Sequence, residues 1–222
     1  MSKSLFTIFK ILKKAYGPQH WWPADSPFEV AVGAILTQNT SWKNVERAIG
    51  RLKKKNLLST GRMSRSPIKT LAQCLKPAGY FNVKARRLKN FLIFLSNEYK
   101  GSLQKLFTEP LAALRQKLLT INGIGPETAD SIILYAAEKP IFVVDAYTKR
   151  IFSRIGFLKL SASYDETQAC FMKNLPLNTK LFNEFHALIV EHAKRFCKTK
   201  PVCEPCPLRP RCEYAKQSDF YC

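Results

Sequence analysis

The sequence at residues 121–126 is Ile-Asn-Gly-Ile-Gly-Pro, and it lies between two stretches with the apolar periodicity of a helix. Gly123 and Gly125 allow the backbone to turn sharply and to approach another molecule closely, because glycine has no side chain. Pro126 suits the first position of a new helix, whose first N–H groups favour a phosphate. The stretch therefore predicts a helix–hairpin–helix motif that grips one phosphate and does not read bases.

The charge of the whole chain agrees with such a partner. Among 222 residues there are 36 Lys plus Arg and only 16 Asp plus Glu, which gives a formal charge of +20. An excess of this size predicts a polyanionic partner, either nucleic acid or an anionic membrane surface. Binding to a membrane surface requires that the basic, amphipathic helix expected over residues 5–16 is not packed against the rest of the protein. No apolar stretch is long enough to span a bilayer, so no membrane-spanning segment is expected.

The rest of the chain predicts helices throughout. Helix-start patterns recur, as in Ser26-Pro27-Phe28-Glu29 and in Ser163 to Glu166, and one long helix is expected from residue 126 to residue 138. Residues 142–144, Phe-Val-Val, could form a short strand but could not build a sheet. The fold class predicted from these patterns is all-α.

Asp145 follows that short apolar segment and begins the next helix. Asp is a preferred helix N-cap, which is one interpretation of its position. A role as N-cap is compatible with a second role in chemistry, because the positive end of the helix dipole keeps such a carboxylate ionised. An ionised carboxylate could stabilise a cationic sugar and orient a water. His186 and His192 are six residues apart and are expected to be surface or core residues rather than ligands.

Four of the seven cysteines crowd into the segment 197–212, with gaps of five, two and five residues: Cys197, Cys203, Cys206 and Cys212. Clustering of this kind, without a secretory cleavage signal, predicts metal ligation in a reducing compartment. The spacing fits both zinc and a [4Fe–4S] cluster. Cys74 and Cys170 are expected to be buried thiols, and Cys222 is given no role.

All three tryptophans lie within 22 residues: Trp21, Trp22 and Trp42. Flat aromatic faces suit stacking against an extruded base, and core filling is an equally open interpretation. Gln38 and Asn39 end a buried helix and are candidates for contacting DNA, with local turn hydrogen bonds as the alternative.

Together, the hairpin, the Asp about twenty residues beyond it and the four-cysteine tail resemble the endonuclease III superfamily of DNA glycosylases. The resemblance implies two helical domains flanking a DNA-binding cleft. One is a bundle of residues 26–140 with the hairpin, and the other joins residues 1–25 to 141–222. It also implies that Asp145 is catalytic and that a [4Fe–4S] cluster occupies the loop at 197–212. The DNA-contacting residues that it implies are Gln38, Asn39, Gly123, Ile124, Gly125 and Thr128, with Gln38 filling the gap left by the extruded base.

One departure from the family pattern concerns the reaction. Bifunctional members carry a lysine two residues after the second glycine of the hairpin, and this chain has Glu127 there. A carboxylate cannot form a Schiff base with the sugar, so we expect a monofunctional glycosylase without lyase activity, in which water attacks the anomeric carbon.

The expected substrate comes from a closer similarity. The stretch Leu-Thr-Gln-Asn-Thr at residues 36–40, the aromatic residue that follows it and the upstream Trp-Trp-Pro are similar to the 3-methyladenine DNA glycosylase III branch. This implies a pocket for a cationic alkylated purine, attracted by electron-rich rings, and lined by Trp21, Trp22, Pro23 and Trp42. The alternatives are a glycosylase for mismatched thymine or uracil or for oxidised pyrimidines, and a non-catalytic DNA-binding protein with the same hairpin. The expected setting is cytoplasmic and nucleoid-associated, with a monomer acting on damaged double-stranded DNA before an abasic-site endonuclease.

Overall fold

A computed structural model of the chain describes residues 4–218, and the regular structure in this range is helical. The α-helices are Leu5–Tyr16 (α1), Pro27–Leu36 (α2), Trp42–Lys54 (α3), Thr60–Arg65 (α4), Ile68–Leu75 (α5), Phe81–Tyr99 (α6), Leu103–Phe107 (α7), Leu111–Leu119 (α8), Pro126–Ser131 (α9), Ala146–Ile155 (α10), Tyr164–Asn174 (α11), Thr179–Arg195 (α12) and Glu213–Ser218 (α13). Over the described residues there is no β-strand, and the predicted all-α fold is confirmed. None of the helices between residues 4 and 218 has the length and apolar character needed to cross a bilayer.

The described residues form two compact units. One consists of residues 4–21 and 140–218, and the other is Trp22–Lys139. We call them the discontinuous unit and the continuous unit.

The continuous unit is built around α2. The Ser26 hydroxyl accepts a hydrogen bond from the Glu29 amide and starts this helix, with Pro27 at its first position. Every residue from position 28 to position 36 is buried, because α3, α6 and α9 pack against it. An apolar helix of this kind belongs in a core, as its sequence predicts.

The helix after the hairpin differs from the predicted one. It is α-helical only over Pro126–Ser131 and continues as a π-helical turn over Ile132–Ala136, so the expectation of one α-helix to Glu138 is wrong. All five residues of the π turn are buried, and the turn packs against α2. Burial of the whole turn explains why its residues are apolar throughout, a pattern that does not distinguish an α-turn from a wider one.

In the discontinuous unit, the segment 140–145 has no regular secondary structure and no partner strand among the described residues. Its backbone polar groups bond to side chains of α11 instead. The Val144 amide donates to the Tyr164 hydroxyl at 3.4 Å, and the Phe142 amide donates to Met172 Sδ at 3.3 Å. Gln168 Nε2 donates to the Phe142 carbonyl at 2.7 Å. These three side chains are four residues apart and so share one face of α11, which satisfies the backbone that leads to Asp145.

Candidate functional site

The hairpin lies between α8 and α9 in the continuous unit. Gly123 has a φ of +95°, a conformation that side chains disfavour, and a Cβ at this position would overlap the side chain of Arg87. Gly125 has a φ of −93° and open space around its Cα. Ile124 between them is buried and anchors the turn. The structure therefore requires glycine at the first position, whereas the second is free of backbone strain.

The N-terminus of α9 is open. Its N-cap residue is Gly125, which has no side chain that could bond to the first-turn amides. Gly125, Pro126 and Glu127 are exposed, whereas Thr128 is buried. The positive end of a helix whose cap residue has no side chain suits an anion such as phosphate.

Two neighbouring elements hold the hairpin. Gln38, in the turn after α2, donates from Nε2 to the Gly123 carbonyl at 3.1 Å and to Thr128 Oγ1 at 2.9 Å. Arg87 of α6 donates to Oε1 of Gln38, and Asn90 of the same helix donates to the Asn122 carbonyl at 3.0 Å. The amide predicted to contact DNA thus bonds to the hairpin itself. Sequence reasoning missed both α6 residues, since nothing local connects them to the turn.

Asn39, the second candidate in this turn, is exposed and has a φ of +53°. Asn is among the residues that tolerate this left-handed conformation. Its side chain is therefore presented at the surface beside the turn that carries Gln38.

Three aromatic rings meet in the continuous unit. The rings of Trp22 and Trp42 are 5.0 Å apart in an edge-to-face arrangement, and Tyr135 is 5.1 Å from Trp22. The Trp42 indole N–H donates to Glu46 Oε1 at 2.7 Å. A Cβ at Gly33 would lie 3.1 Å from Trp22 Cζ2, so the small residue makes room for the ring. We call these three rings the aromatic cluster.

The aromatic cluster differs from the predicted pocket in its membership. Trp22 and Trp42 are half-buried, and the buried Tyr135 joins them without having been predicted. Tyr135 lies in the π turn after the hairpin, where the sequence shows only an apolar run. Pro23 is exposed, and Trp21 belongs to the other unit.

Asp145 is the N-cap of α10 in the discontinuous unit. Its Oδ1 accepts hydrogen bonds from the Thr148 amide at 2.7 Å and from the Thr148 hydroxyl at 2.8 Å. Its Oδ2 lies 3.6 Å from Nε2 of His186, and 14% of its side chain is exposed. Burial alone would raise the pKa of this carboxyl, but His186 and Thr148 more than offset it and hold the pKa below its usual value. Asp145 is therefore ionised at neutral pH.

His186 is the neighbour of Asp145 that sequence reasoning missed in this unit. It is 7% exposed and lies in the middle of α12. The expectation of a core histidine is met by its burial, but its contact with Asp145 has no signal in the sequence. The two residues belong to different helices, and only the packing of α12 in the folded unit brings the imidazole to the carboxylate.

The four predicted cysteine ligands line one cavity of about 20 Å³, together with Phe196 and Leu208: Cys197, Cys203, Cys206 and Cys212. No three His, Cys, Asp or Glu side chains within residues 4–218 converge closely enough to hold a single metal ion. Burial is the main reason why the pKa of the Cys206 thiol is raised to about 11, and its three neighbouring thiols raise it further. The four cysteines thus share one cavity.

Helix α10 supports this cysteine loop. Arg154 donates to Cys197 Sγ at 3.4 Å and to the carbonyls of Lys198 and Thr199 at 2.6 and 3.0 Å. Arg150, one turn earlier, donates to the Cys197 carbonyl at 2.9 Å. One short helix therefore begins at Asp145 and holds the loop near its other end.

The remaining histidine and cysteines have different surroundings. His192 lies between the Tyr16 hydroxyl, 2.8 Å from Nδ1, and Cys206 Sγ, 3.8 Å from Nε2, and burial lowers its pKa to about 4. Cys74 is buried as predicted, whereas Cys170 is partly exposed, so that prediction is wrong. Cys222 lies outside the described residues.

Comparison with known proteins gives a consistent result. Residues 32–177 match the model of the family described as "HhH-GPD superfamily base excision DNA repair protein". The chain is similar to "Putative DNA repair glycosylase MJ1434" of Methanocaldococcus jannaschii, with 50% identity over 209 residues that cover 94% of this chain and 95% of the relative.

Two solved structures are also similar. The H. pylori 3-methyladenine DNA glycosylase bound to 1,N6-ethenoadenine has 30% identity and a TM-score of 0.75, over 86% of this chain and 97% of that one. A trapped endonuclease III–DNA covalent intermediate has 23% identity and a TM-score of 0.84, over 96% of each chain, which shows a shared fold.

Proposed function

The chain belongs to the HhH-GPD superfamily of base excision DNA repair proteins and is a DNA glycosylase, and we propose that it is a monofunctional enzyme for alkylated purines such as 3-methyladenine. The observation that carries the choice of substrate is the aromatic cluster of Trp22, Trp42 and Tyr135. The similarity to a 3-methyladenine DNA glycosylase supports it.

The physical basis for the choice is charge. A 3-methylated adenine nucleotide carries a positive charge on the base, and aromatic faces attract cations. The Glu46 carboxylate, hydrogen-bonded to the Trp42 indole, adds negative charge beside the rings. Neutral bases would gain less from both features, so the aromatic cluster favours the cationic base over thymine or uracil.

In the proposed reaction, the bond between the anomeric carbon and the base nitrogen breaks, and its electron pair leaves with the base. The base departs neutral, because that pair cancels its positive charge, and the sugar is left as an oxocarbenium-like cation. The Asp145 carboxylate stabilises this cation and positions a water, which adds to the anomeric carbon and passes its extra proton to the surrounding water. The product is an abasic site, which an endonuclease would process. The enzyme would act as a monomer on double-stranded DNA in the cytoplasm.

The lack of lyase activity is proposed from Glu127. This residue is exposed in the first turn of α9, at the position where bifunctional relatives carry the reactive lysine. Its carboxylate has no nucleophilic amine for a Schiff base. Borohydride added during turnover should therefore trap no covalent protein–DNA complex, and efficient trapping would contradict the monofunctional assignment.

We also propose that the four cysteines of the loop 197–212 hold a [4Fe–4S] cluster rather than zinc. All four cysteines line one cavity, so a single group could take all four as ligands. Their clustering after α12 resembles the cluster loop of the endonuclease III superfamily, and this resemblance favours the cluster over zinc. The group would serve to fasten the loop to α10. Metal analysis of purified protein checks this, and stoichiometric zinc without iron would contradict it.

The decisive experiment is a panel of duplexes, each with one lesion, under single-turnover conditions. The lesions are 3-methyladenine, 1,N6-ethenoadenine, thymine or uracil opposite guanine, and an oxidised pyrimidine. Fastest release of 3-methyladenine is the expected result. Preferential release of a mismatched or oxidised pyrimidine would overturn the substrate assignment. Tight binding to abasic DNA without release of any base would indicate a non-catalytic DNA-binding protein.

A further inference from the structure

The two oxygens of Asp145 have different surroundings. Oδ1 is occupied by the amide and hydroxyl of Thr148, which make the N-cap of α10. Oδ2 has no such role in the cap, and the imidazole Nε2 of His186 lies 3.6 Å from it. The carboxylate is thus fixed at one oxygen by its own helix and faced at the other by a residue of α12.

His186 is a polar residue at a buried position of α12, where an apolar residue would be expected. The neighbouring α12 residues Phe185, Leu188 and Ile189 are apolar and buried, and His186 is almost as buried as they are. Placing a polar ring there costs desolvation free energy, which an apolar residue would avoid. The contact between His186 and the charged Asp145 carboxylate offsets this cost, since a charged partner strengthens a polar contact.

We propose that His186 is a positioning residue for base release: it fixes the orientation of Asp145 Oδ2 and keeps the carboxylate charged. The inference rests on the proposed role of Asp145 and is independent of which base is released. The 3.6 Å separation is longer than a hydrogen bond. Contacts of this kind commonly tighten when the substrate is bound, so the free enzyme holds the pair close to its working geometry.

Removal of the imidazole has two physical consequences. The Oδ2 atom loses its neighbouring polar group, so rotation of the carboxylate about its bond to Cβ is restrained only through Oδ1 by Thr148. Burial of Asp145 is also no longer offset by His186, which leaves Thr148 of α10 as the remaining group that lowers its pKa. Both consequences weaken the stabilisation of a cationic sugar, and neither acts on the hairpin that binds phosphate.

The test compares His186→Leu, which fills the space without a polar atom, with His186→Gln, which restores an N–H donor. On the lesion that the wild type releases fastest, we expect the single-turnover rate of the Leu variant to fall about 10- to 100-fold, less than the loss of a direct transition-state donor. The Gln variant should stay within about fivefold of the wild type, since it can bond to the carboxylate. Affinity for a duplex with an abasic-site analogue should be unchanged in both.

Leu188→Ala is the matched control, because it destabilises the same buried helix at a residue two positions from His186, which therefore lies on another face of α12. A His186→Leu rate equal to that of this control, or a Gln variant as slow as the Leu variant, would reduce His186 to core packing. Asp145→Asn measured on the same duplex separates the two hypotheses. If that variant is slow while His186→Leu is normal, only the present inference fails, and if it is normal, the proposed role of Asp145 fails.

A readout without DNA completes the test. In protein labelled with carbon-13 at aspartate carboxyls, the Asp145 signal should titrate at a higher pH in His186→Leu than in His186→Gln. The groups that face this carboxyl are His186 of α12 and Thr148 of α10. Equal titration in both variants would show that His186 does not keep the carboxylate charged, whatever base the enzyme releases.

Discussion

The helices α9 and α10 begin in opposite ways. The N-terminus of α9 has Gly125 as its cap, which offers no side chain to the first-turn amides, and its first two residues, Pro126 and Glu127, are exposed. The N-terminus of α10 has Asp145 as its cap, whose carboxylate bonds to the Thr148 amide at 2.7 Å. Both ends carry the same partial positive charge from the helix dipole. One is left open to an external anion, and the other contains an anion of its own.

The difference shows that the partial positive charge at a helix N-terminus can serve two purposes. An open N-terminus can bind a phosphate of DNA, because the phosphate supplies the charge that the helix end favours. A capped N-terminus instead holds a carboxylate ionised while one of its oxygens remains available. The cap residue therefore decides whether the helix end binds an external anion or holds an ionised side chain that can take part in a reaction.

The largest effect should come from neutralising the capped end. Asp145→Asn keeps an N-cap side chain, since Asn is as good a cap as Asp, but removes the charge. We expect the single-turnover rate of base release to fall by about 100- to 1000-fold, as for other groups aimed at transition-state charge. Affinity for an abasic-site duplex should change little. A near-normal rate in the folded variant would exclude Asp145 from the chemistry.

The second effect concerns the turn that precedes the open end, and its two glycines provide a matched pair. Gly123→Ala forces a side chain into a positive-φ position and against Arg87, so we expect a loss of about 1–3 kcal/mol of stability and weaker DNA binding. Gly125→Ala meets neither obstacle and should cost less than about 0.5 kcal/mol of stability, like other substitutions that leave the backbone unstrained. Thermal unfolding and titration with duplex DNA measure both. Equal losses of stability would show that backbone strain is not the reason for glycine at 123.

The contrast also marks how much the sequence could predict. The hairpin was visible because it is local: two glycines, a helix-starting proline and apolar helices lie within a short stretch, and each has a backbone reason to be there. The cap at Asp145 and the capping box at Ser163 were visible for the same reason. Short-range rules of helix initiation thus account for most of the fold and for the positions of both helix ends.

What holds these ends in place could not be predicted. Arg87 reaches Gln38 across 49 positions of sequence, and His186 reaches Asp145 from another helix. Helical periodicity indicates which face of a helix is buried, but it does not indicate which residue that face will meet. The strand-like segment at 142–144 shows the same limit, because its polar groups bond to side chains such as Gln168 rather than to a second strand.

A smaller effect should follow from loosening the cap without removing its charge. Thr148→Val deletes the hydroxyl that donates to Asp145 Oδ1 at 2.8 Å. The hydrogen bond from the backbone amide of residue 148 to the same oxygen is kept. A hydrogen bond to a charged group contributes about 1.5–3 kcal/mol to stability, so this variant should unfold at a lower temperature than the wild type. We expect its single-turnover rate to fall only about 3- to 10-fold, because the amide still orients the carboxylate. Thr148→Ser, which retains the hydroxyl, is the control and should preserve the rate; an equally slow Ser variant would show that packing around Thr148, and not its hydroxyl, limits the rate.

The smallest effect should come from the acid at the open end. Glu127 is exposed in the first turn of α9, where a negative charge favours the helix but opposes an incoming phosphate. Glu127→Gln should therefore tighten binding to duplex DNA about 2- to 5-fold at low salt and cost about 0.3–1 kcal/mol of stability, the usual range for a charge near a helix end. The gain in affinity should shrink as salt screens the repulsion.

Glu138→Gln makes the same change in net charge at an exposed position beyond the π turn and is the control for Glu127. If both substitutions tighten binding equally, the effect belongs to the overall charge of the protein and not to the end of α9. A gain confined to position 127 would mean that a phosphate approaches this helix end closely enough for one charge to repel it. Such a gain in affinity would place a phosphate of DNA at the N-terminus of α9. The corresponding place at the N-terminus of α10 is occupied by the Asp145 carboxylate.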